Sequence, residues 1–254
     1  MKRVLTAFFL VPAAVYSALF APWWLFASVI ALVGCLCFRE YATITGSFAP
    51  LGFAAGLMIL AARTPQETFL VIILSALAAM CVPLASPDME KAVVRSAALV
   101  LGILYIFGSW KTALLLREVP AGRHWLMFGL MVNWIGDTGA YYVGRKYGRH
   151  KLAPAASPGK TWEGAAASTV TGVLFGLIYM PLAVPGISLP KVALLALAAN
   201  VAGQLGDLAE SAIKRGAGVK DSGALLPGHG GMLDRVDSTL FALPVLYAAL
   251  TLLG

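Results

Sequence analysis

Apolar residues fall in nine long runs separated by short polar breaks, at approximately 4–20, 23–38, 48–62, 68–86, 93–110, 124–143, 163–183, 189–210 and 238–253. Runs of this length predict helices. A segment in lipid must satisfy its backbone hydrogen bonds internally, and about 20 residues cross a bilayer upright. The third run has the weakest pattern, because it holds Pro50 and several glycines. Residues Lys111–Arg123 are polar enough to be read either as a loop or as a short interfacial helix. Met1-Lys2-Arg3 ahead of Val4–Phe20 has the charge and length of a signal peptide. Pro22 follows the candidate cleavage residue Ala21, however, and another span begins at once, so this run is read as a retained first helix.

Composition agrees with the pattern. Of 254 residues, 59% are hydrophobic and 12% charged, and the mean hydropathy is +0.82, whereas soluble domains carry about 25% charged residues. The predicted fold is all-α: a polytopic integral membrane helical bundle of about nine transmembrane helices. It forms a single domain over 1–254, with N-terminal helices over 1–123 and the helices and loops that carry the chemistry over 124–254. Cys35, Cys37 and Cys81 lie in apolar segments and imply neither a disulfide framework nor a metal site. The net charge of +7 does not imply nucleic acid, because aromatics are not interleaved with the basic runs. With the N-terminus in the cytoplasm, all but five of the 19 Lys and Arg fall inside, the exceptions being Arg63, Lys111, Arg117, Arg123 and Lys191. The positive-inside bias therefore predicts a cytoplasmic N-terminus. It also places loops 144–162 and 211–237 together on the cytoplasmic side.

The scarce charge is concentrated. Residues 211–237, SAIKRGAGVKDSGALLPGHGGMLDRVD, hold Lys214, Arg215, Lys220, Arg235, Asp221, Asp234, Asp237, His229 and six glycines. Each ionisable group near the bilayer centre costs about 2.5–3.5 kcal/mol on insertion scales, so the gathering calls for a ligand. Glycines let the backbone approach phosphates, Lys and Arg bind phosphate oxygens, and carboxylates suit Mg²⁺. His229, between glycines with no second His nearby, reads as a phosphate or substrate contact.

A second polar stretch places Asp137 within an apolar helix, followed by Gly144-Arg145-Lys146 and by Ser157-Pro158-Gly159-Lys160-Thr161-Trp162-Glu163-Gly164. Ser157 or Thr161 is positioned to cap the next helix, whose N-terminus beside Lys160 suits a phosphate. It is no P-loop: position 154 is Pro and no strand precedes it. Arg145, Lys146, Arg149 and Lys151 also serve as positive-inside anchors, and Asp137 is read equally as structural or functional. Upstream of the glycine-rich stretch, Asp207, Glu210, Ser211 and Lys214 share one helical face. Asp234 and Asp237 suit a helix N-terminus, but Asp207 and Glu210 sit near a C-terminus, where the dipole disfavours acids. A bound cation accounts for both. The proposed arrangement has Asp207 facing Asp234 across one or two metal ions, with Asp237 or Asp221 as further ligands.

The 211–237 stretch resembles the phosphatidate cytidylyltransferases (CDP-diacylglycerol synthases). The shared positions are Ser211, Ile213-Lys214-Arg215, Lys220-Asp221, Gly223, Leu226-Pro227, His229-Gly230-Gly231-Met232 and Asp234-Arg235-Val236-Asp237. The 133–164 block is similar to the same family's upstream segment; the family commonly has Lys where Gly159 stands here, which bears on a nucleotide contact at 159 and not on Lys160. The resemblance covers about residues 133–238, and the N-terminal half is generic membrane sequence. It implies Mg²⁺, with one or two ions held by Asp207, Asp234, Asp237 and Asp221. It implies catalytic roles for Lys214, Arg215, Lys220, Arg235 and Ser211. Lys160, Thr161, Ser157, Arg145, His229, Gly230 and Gly231 become substrate contacts. CTP and phosphatidate are the implied partners, in a bacterial-type inner membrane, with a homodimer as the implied assembly. Two rival readings are a CTP-dependent lipid kinase and an ion-coupled transporter; the second predicts acids at mid-membrane, where only Asp137 lies. The Asp-Gly-x2-Ala-Arg pattern of CDP-alcohol phosphatidyltransferases is absent.

Overall fold

The computed structural model describes residues 2–85, 89–226, 228 and 230–252. Among these the chain forms helices α1 (Lys2–Leu19), α2 (Trp23–Thr45), α3 (Ala49–Ala61), α4 (Pro65–Cys81), α5 (Ala92–Glu118) and α6 (Gly122–Tyr147). An antiparallel hairpin follows, β1 (Lys151–Ala153) with β2 (Ser157–Thr161), and then α7 (Trp162–Ala183), α8 (Leu189–Gly216) and α9 (Leu233–Leu252). Six helices are long and apolar enough to cross a membrane, counting α4 with its 3₁₀ extension to Ala85; Phe8–Leu19 and Ala49–Ala61 are shorter apolar helices. The chain is a multi-pass helical membrane protein, as its hydropathy predicts.

Helix boundaries follow local chemistry. Gly46 at φ 68 ends α2 in the left-handed conformation that glycine adopts without cost. Thr64 and Glu67 form a reciprocal capping box on α4. Thr161, not Ser157, caps α7: its Oγ1 accepts from the Gly164 amide at 3.2 Å, while Ser157 is held in β2 opposite Ala153. The 144–162 segment is thus part helix and part hairpin rather than a plain loop.

Three boundaries differ most from expectation. Helix α2 runs to Thr45 rather than 38, which makes Arg39 and Glu40 helical. Helix α8 runs to Gly216 rather than 210, so Lys214 and Arg215 lie in its last turn, where cations complement the helix dipole. Lys111–Glu118 is neither loop nor interfacial helix but the end of α5, joined to Ala92–Gly102 through a π turn at Ile103–Gly108. Its cations look polar in sequence because they serve other helices' ends. Lys111 donates to the carbonyls of Leu60 and Ala62 at the end of α3. Arg117 donates to those of Ser17 and Ala18 in the last turn of α1 and of Ala21 beyond it, and stacks over Phe26. Such contacts satisfy carbonyls left without intrahelical partners.

Helices α6, α7, α8 and α9 share the most extensive packing. A buried amide network locks the first three. Asn200, 0% exposed, donates to the Val132 carbonyl and to Ser168 Oγ, both at 3.2 Å. Gln204 donates to Asn200 Oδ1 at 2.7 Å and to Thr169 Oγ1 at 3.1 Å. Low dielectric strengthens a satisfied network and penalises a broken one. One turn beyond Gln204, the same α8 face presents Asp207, so the network fixes where that carboxylate stands.

Candidate active site

The last turns of α8 and the first turn of α9 meet around Lys214. Its ammonium bridges Glu210 and Asp234, with Asp234 Oδ1 at 2.6 Å. Glu210 is buried, its side chain 1% exposed, and the Lys214 and Asp234 side chains are largely buried. Asp234 spends its second oxygen on the amides of Ser222 at 2.9 Å and Gly231 at 2.8 Å. The expected face-to-face placement of Asp207 and Asp234 is therefore not the arrangement present: both Asp234 oxygens accept from protein donors.

Asp207 pairs elsewhere. Its Oδ2 lies 2.6 Å from Lys160 Nζ at the end of β2, and Ser211 donates to its Oδ1 at 3.4 Å. The hairpin is what brings Lys160 to α8, and the hairpin is itself stapled to α7: the His150 amide and Nδ1 both contact the Glu163 carboxylate, the ring at 2.7 Å. Asp237, on α9, lies within electrostatic reach of Asp207; a side chain at Gly206 would meet the Asp237 carbonyl at 2.7 Å, so the two helices approach closely here. Asp237 Oδ1 accepts from the Ser238 amide at 2.7 Å. Asp137 of α6 lies within electrostatic reach of Asp207, Asp237, Lys160 and Arg235. Asp137, Asp207 and Asp237, from three helices, thus lie within electrostatic reach of one another.

The remaining expected residues are distributed around this centre. Arg235 is exposed in the first turn of α9. Arg215 is exposed and donates to the Val219 carbonyl, while Lys220 and Asp221 are exposed in the loop. Arg145 is exposed in the last turn of α6 and donates to the Tyr141 hydroxyl at 2.9 Å. Gly230, at φ 79, bridges back to Leu226, and Gly231 is buried. Pro227 and His229 lie outside the described residues. Next to the polar cluster, an apolar cavity of about 640 Å³ opens between α5, α8 and α9, lined among others by Leu104, Tyr105, Ala212, Leu240, Phe241 and Pro244.

One site residue was not foreseen. Glu40, in the N-terminal half that reads as generic membrane sequence, accepts from Ser222 Oγ at 2.8 Å and from the amides of Met232 and Leu233 at 2.9 Å. The signal available in the sequence is an acid two residues beyond the apolar run that ends at 38, in a helix that continues to Thr45.

Metal binding is a matter of fit. Among the described residues no three His, Cys, Asp or Glu side chains are gathered closely enough to hold an ion as they stand. The donor chemistry of Asp207 and Asp237 nevertheless fits Mg²⁺, which takes one or two carboxylates and completes its shell with water and substrate phosphate. Asp237 has one oxygen that makes no hydrogen bond among the described residues.

Residues 1–253 match the Cytidylyltransferase family. The chain belongs to that family. Among similar cytidylyltransferases, the phosphatidate cytidylyltransferase of Staphylococcus saprophyticus is 46% identical over 125 residues, covering 49% of this chain and 48% of the relative. That of Bacillus subtilis is 47% identical over 131 residues, covering 52% and 49%. That of Brucella suis is 45% identical over 148 residues, covering 58% and 54%. The chain thus spans about half the length of the curated relatives it matches.

Proposed function

We propose that this cytidylyltransferase moves CMP from CTP to phosphatidate, giving CDP-diacylglycerol and pyrophosphate. The observation that carries the reading is the juxtaposition of Lys160–Asp207, Asp137, Asp237 and Lys214–Asp234 beside an apolar cavity. A polar centre for phosphates and a lipid-compatible space share one rim, and the relatives carry the matching name.

In the reaction, a phosphate oxygen of phosphatidate attacks the α-phosphorus of CTP in line. The new P–O bond forms as the α–β P–O bond breaks, and pyrophosphate leaves with the electron pair. The second pKa of a phosphate monoester lies near 6, so the nucleophile is already ionised at pH 7 and no general base is required. The obstacle is repulsion between two polyanions, which fixed positive groups relieve. Lys160 holds the nucleotide phosphates, with Arg145 at the exit of α6. Arg215 from the end of α8, Lys220 from the loop and Arg235 from the start of α9 contribute positive charge toward the phosphates, joined by the glycine-rich backbone at Gly230 and Gly231 and by His229. Lys214 keeps Asp234, and through it the loop, in register. Mg²⁺, when bound by Asp207 and Asp237 with Asp137 close by, supplies charge neutralisation of the phosphates. One acyl chain of phosphatidate lies in the cavity bordered by Tyr105 and Phe241. The Lys and Arg bias supports placing this rim on the cytoplasmic side, where CTP is found, and the family resemblance supports a homodimer.

The test is product analysis with purified protein, phosphatidate, Mg²⁺ and CTP labelled separately at the α and γ phosphorus. The proposal expects α label in the lipid and γ label in pyrophosphate, both abolished in Asp237→Asn. Label from the γ position in lipid makes the protein a lipid kinase instead.

A further inference from the structure

We propose that Glu40 is a positioning residue, which holds the glycine-rich segment against the start of α9 and so sets the Lys214–Asp234 contact. The activity readout rests on the cytidylyl-transfer reading; the structural readout below does not.

Glu40 is 9% exposed and has no cation within ion-pair distance among the described residues. A buried carboxylate without a cation is costly unless hydrogen bonds replace the lost water. Three do so. Oε2 takes the Ser222 hydroxyl and the Leu233 amide, and Oε1 takes the Met232 amide. Met232 and Leu233 are the entry of α9, whose amides have no intrahelical acceptors and whose dipole favours negative charge. Glu40 therefore caps α9 from another helix, across a sequence separation of 193 residues at Leu233.

The loop is built around this carboxylate. A side chain at Gly223 would meet Glu40 Oε1 at 2.8 Å, and its three nearest neighbours are all Glu40 atoms. One at Gly231 would meet Glu40 Oε2 at 2.3 Å and Ser222 Oγ at 2.2 Å. Two glycines of the motif are thus required by a residue far outside it. Ser222 joins the two acids: its hydroxyl goes to Glu40 and its amide to Asp234. Gly231 gives its amide to Asp234 while packed on Glu40. Loss of Glu40 frees Ser222 and the first turn of α9 together. Asp234 then loses the geometry of two donors, and Lys214 loses a fixed partner.

The experiment compares full-length wild type with Glu40→Gln, Glu40→Ala, Gly223→Ala and the Glu40→Ala/Gly223→Ala pair in detergent. It reads amide exchange over 217–236 and over 122–147, and the kcat and KM of CMP transfer. Expected are faster exchange confined to 217–236 and a fall in kcat of about tenfold or more, with CTP KM changed less than about threefold. Gly223→Ala lowers kcat about tenfold alone but less than about twofold in the Glu40→Ala background, because no carboxylate remains to be displaced. Should Glu40→Ala not fold, Glu40→Gln and Gly223→Ala carry the test. Unchanged exchange over 217–236 in Glu40→Gln overturns the proposal. So does equal loss of protection over 122–147, or a Gly223→Ala penalty that persists without Glu40. If the wild type transfers no CMP, the functional reading fails while the exchange comparison still decides the role of Glu40.

Discussion

Replacing Lys214 by Met removes the one cation shared by two buried acids. Glu210 is 1% exposed and Asp234 5%. Among the described residues neither Glu210 oxygen has a well-formed hydrogen bond and Lys214 is its one ion-pair partner, whereas Asp234 retains the Ser222 and Gly231 amides. Stripping one partner from a buried ion pair costs about 3–5 kcal/mol, because the other charge is left uncompensated. For a chain of this size each kcal/mol shifts a melting midpoint by about 2–4 °C. The expected loss for Lys214→Met is then about 6–20 °C. The geometry assigns most of that penalty to Glu210, since Asp234 keeps two donors. Adding Glu210→Gln to Lys214→Met removes the stranded charge and is expected to restore at least about half of the loss. The assay is thermal unfolding of the detergent-solubilised protein, followed by fluorescence-detected size exclusion, for wild type, both single variants and the double. A Lys214→Met midpoint within about 2 °C of wild type refutes the argument. So does a double variant no more stable than Lys214→Met, because the coupling then does not run through Glu210.

Three further outcomes follow from the same contacts. Lys160→Ala loses a half-exposed pair with Asp207 and is expected to change stability by less than about 1 kcal/mol, while the KM for CTP rises at least about tenfold in a steady-state assay. Asp237→Asn is expected to abolish CMP transfer with the size-exclusion profile unchanged, whereas Asp221→Asn, exposed in the loop, retains most of the rate; the reverse ranking in a labelled-CTP assay counts against the Asp207–Asp237 donor pair. Asn200→Leu takes away the acceptor of Gln204 and Thr169 and the donor to Ser168 and is expected to destabilise by about 1–3 kcal/mol, read as a lowered thermal midpoint.

Much of this protein is legible in the order of its residues. The long apolar runs determine a helical bundle, because lipid permits few other ways to satisfy a backbone. Thr161 caps α7 and Gly46 ends α2 through contacts within a few residues. The shared face of Asp207, Glu210, Ser211 and Lys214 follows from helical spacing, and the structure keeps it, with Ser211 on Asp207 and Lys214 on Glu210. The charged stretch at 211–237 is visible because charge is rare in such a chain.

What tertiary structure decided is which charge meets which. Spacing cannot say that Asp234 spends itself on Lys214 and two amides while Asp137, from another helix, joins Asp207 and Asp237. Nor can it say that Lys111 and Arg117 belong to the carbonyl ends of α3 and α1. Glu40 is the clearest case. In sequence it is one acid at the end of an apolar run; in space it caps a helix 193 residues away and leaves no room for a side chain at Gly223 or Gly231. Helix formation and capping depend on neighbours in the chain, so sequence carries them. Pairing of buried charges depends on which helix ends the bundle brings together, and that is set only when the helices pack.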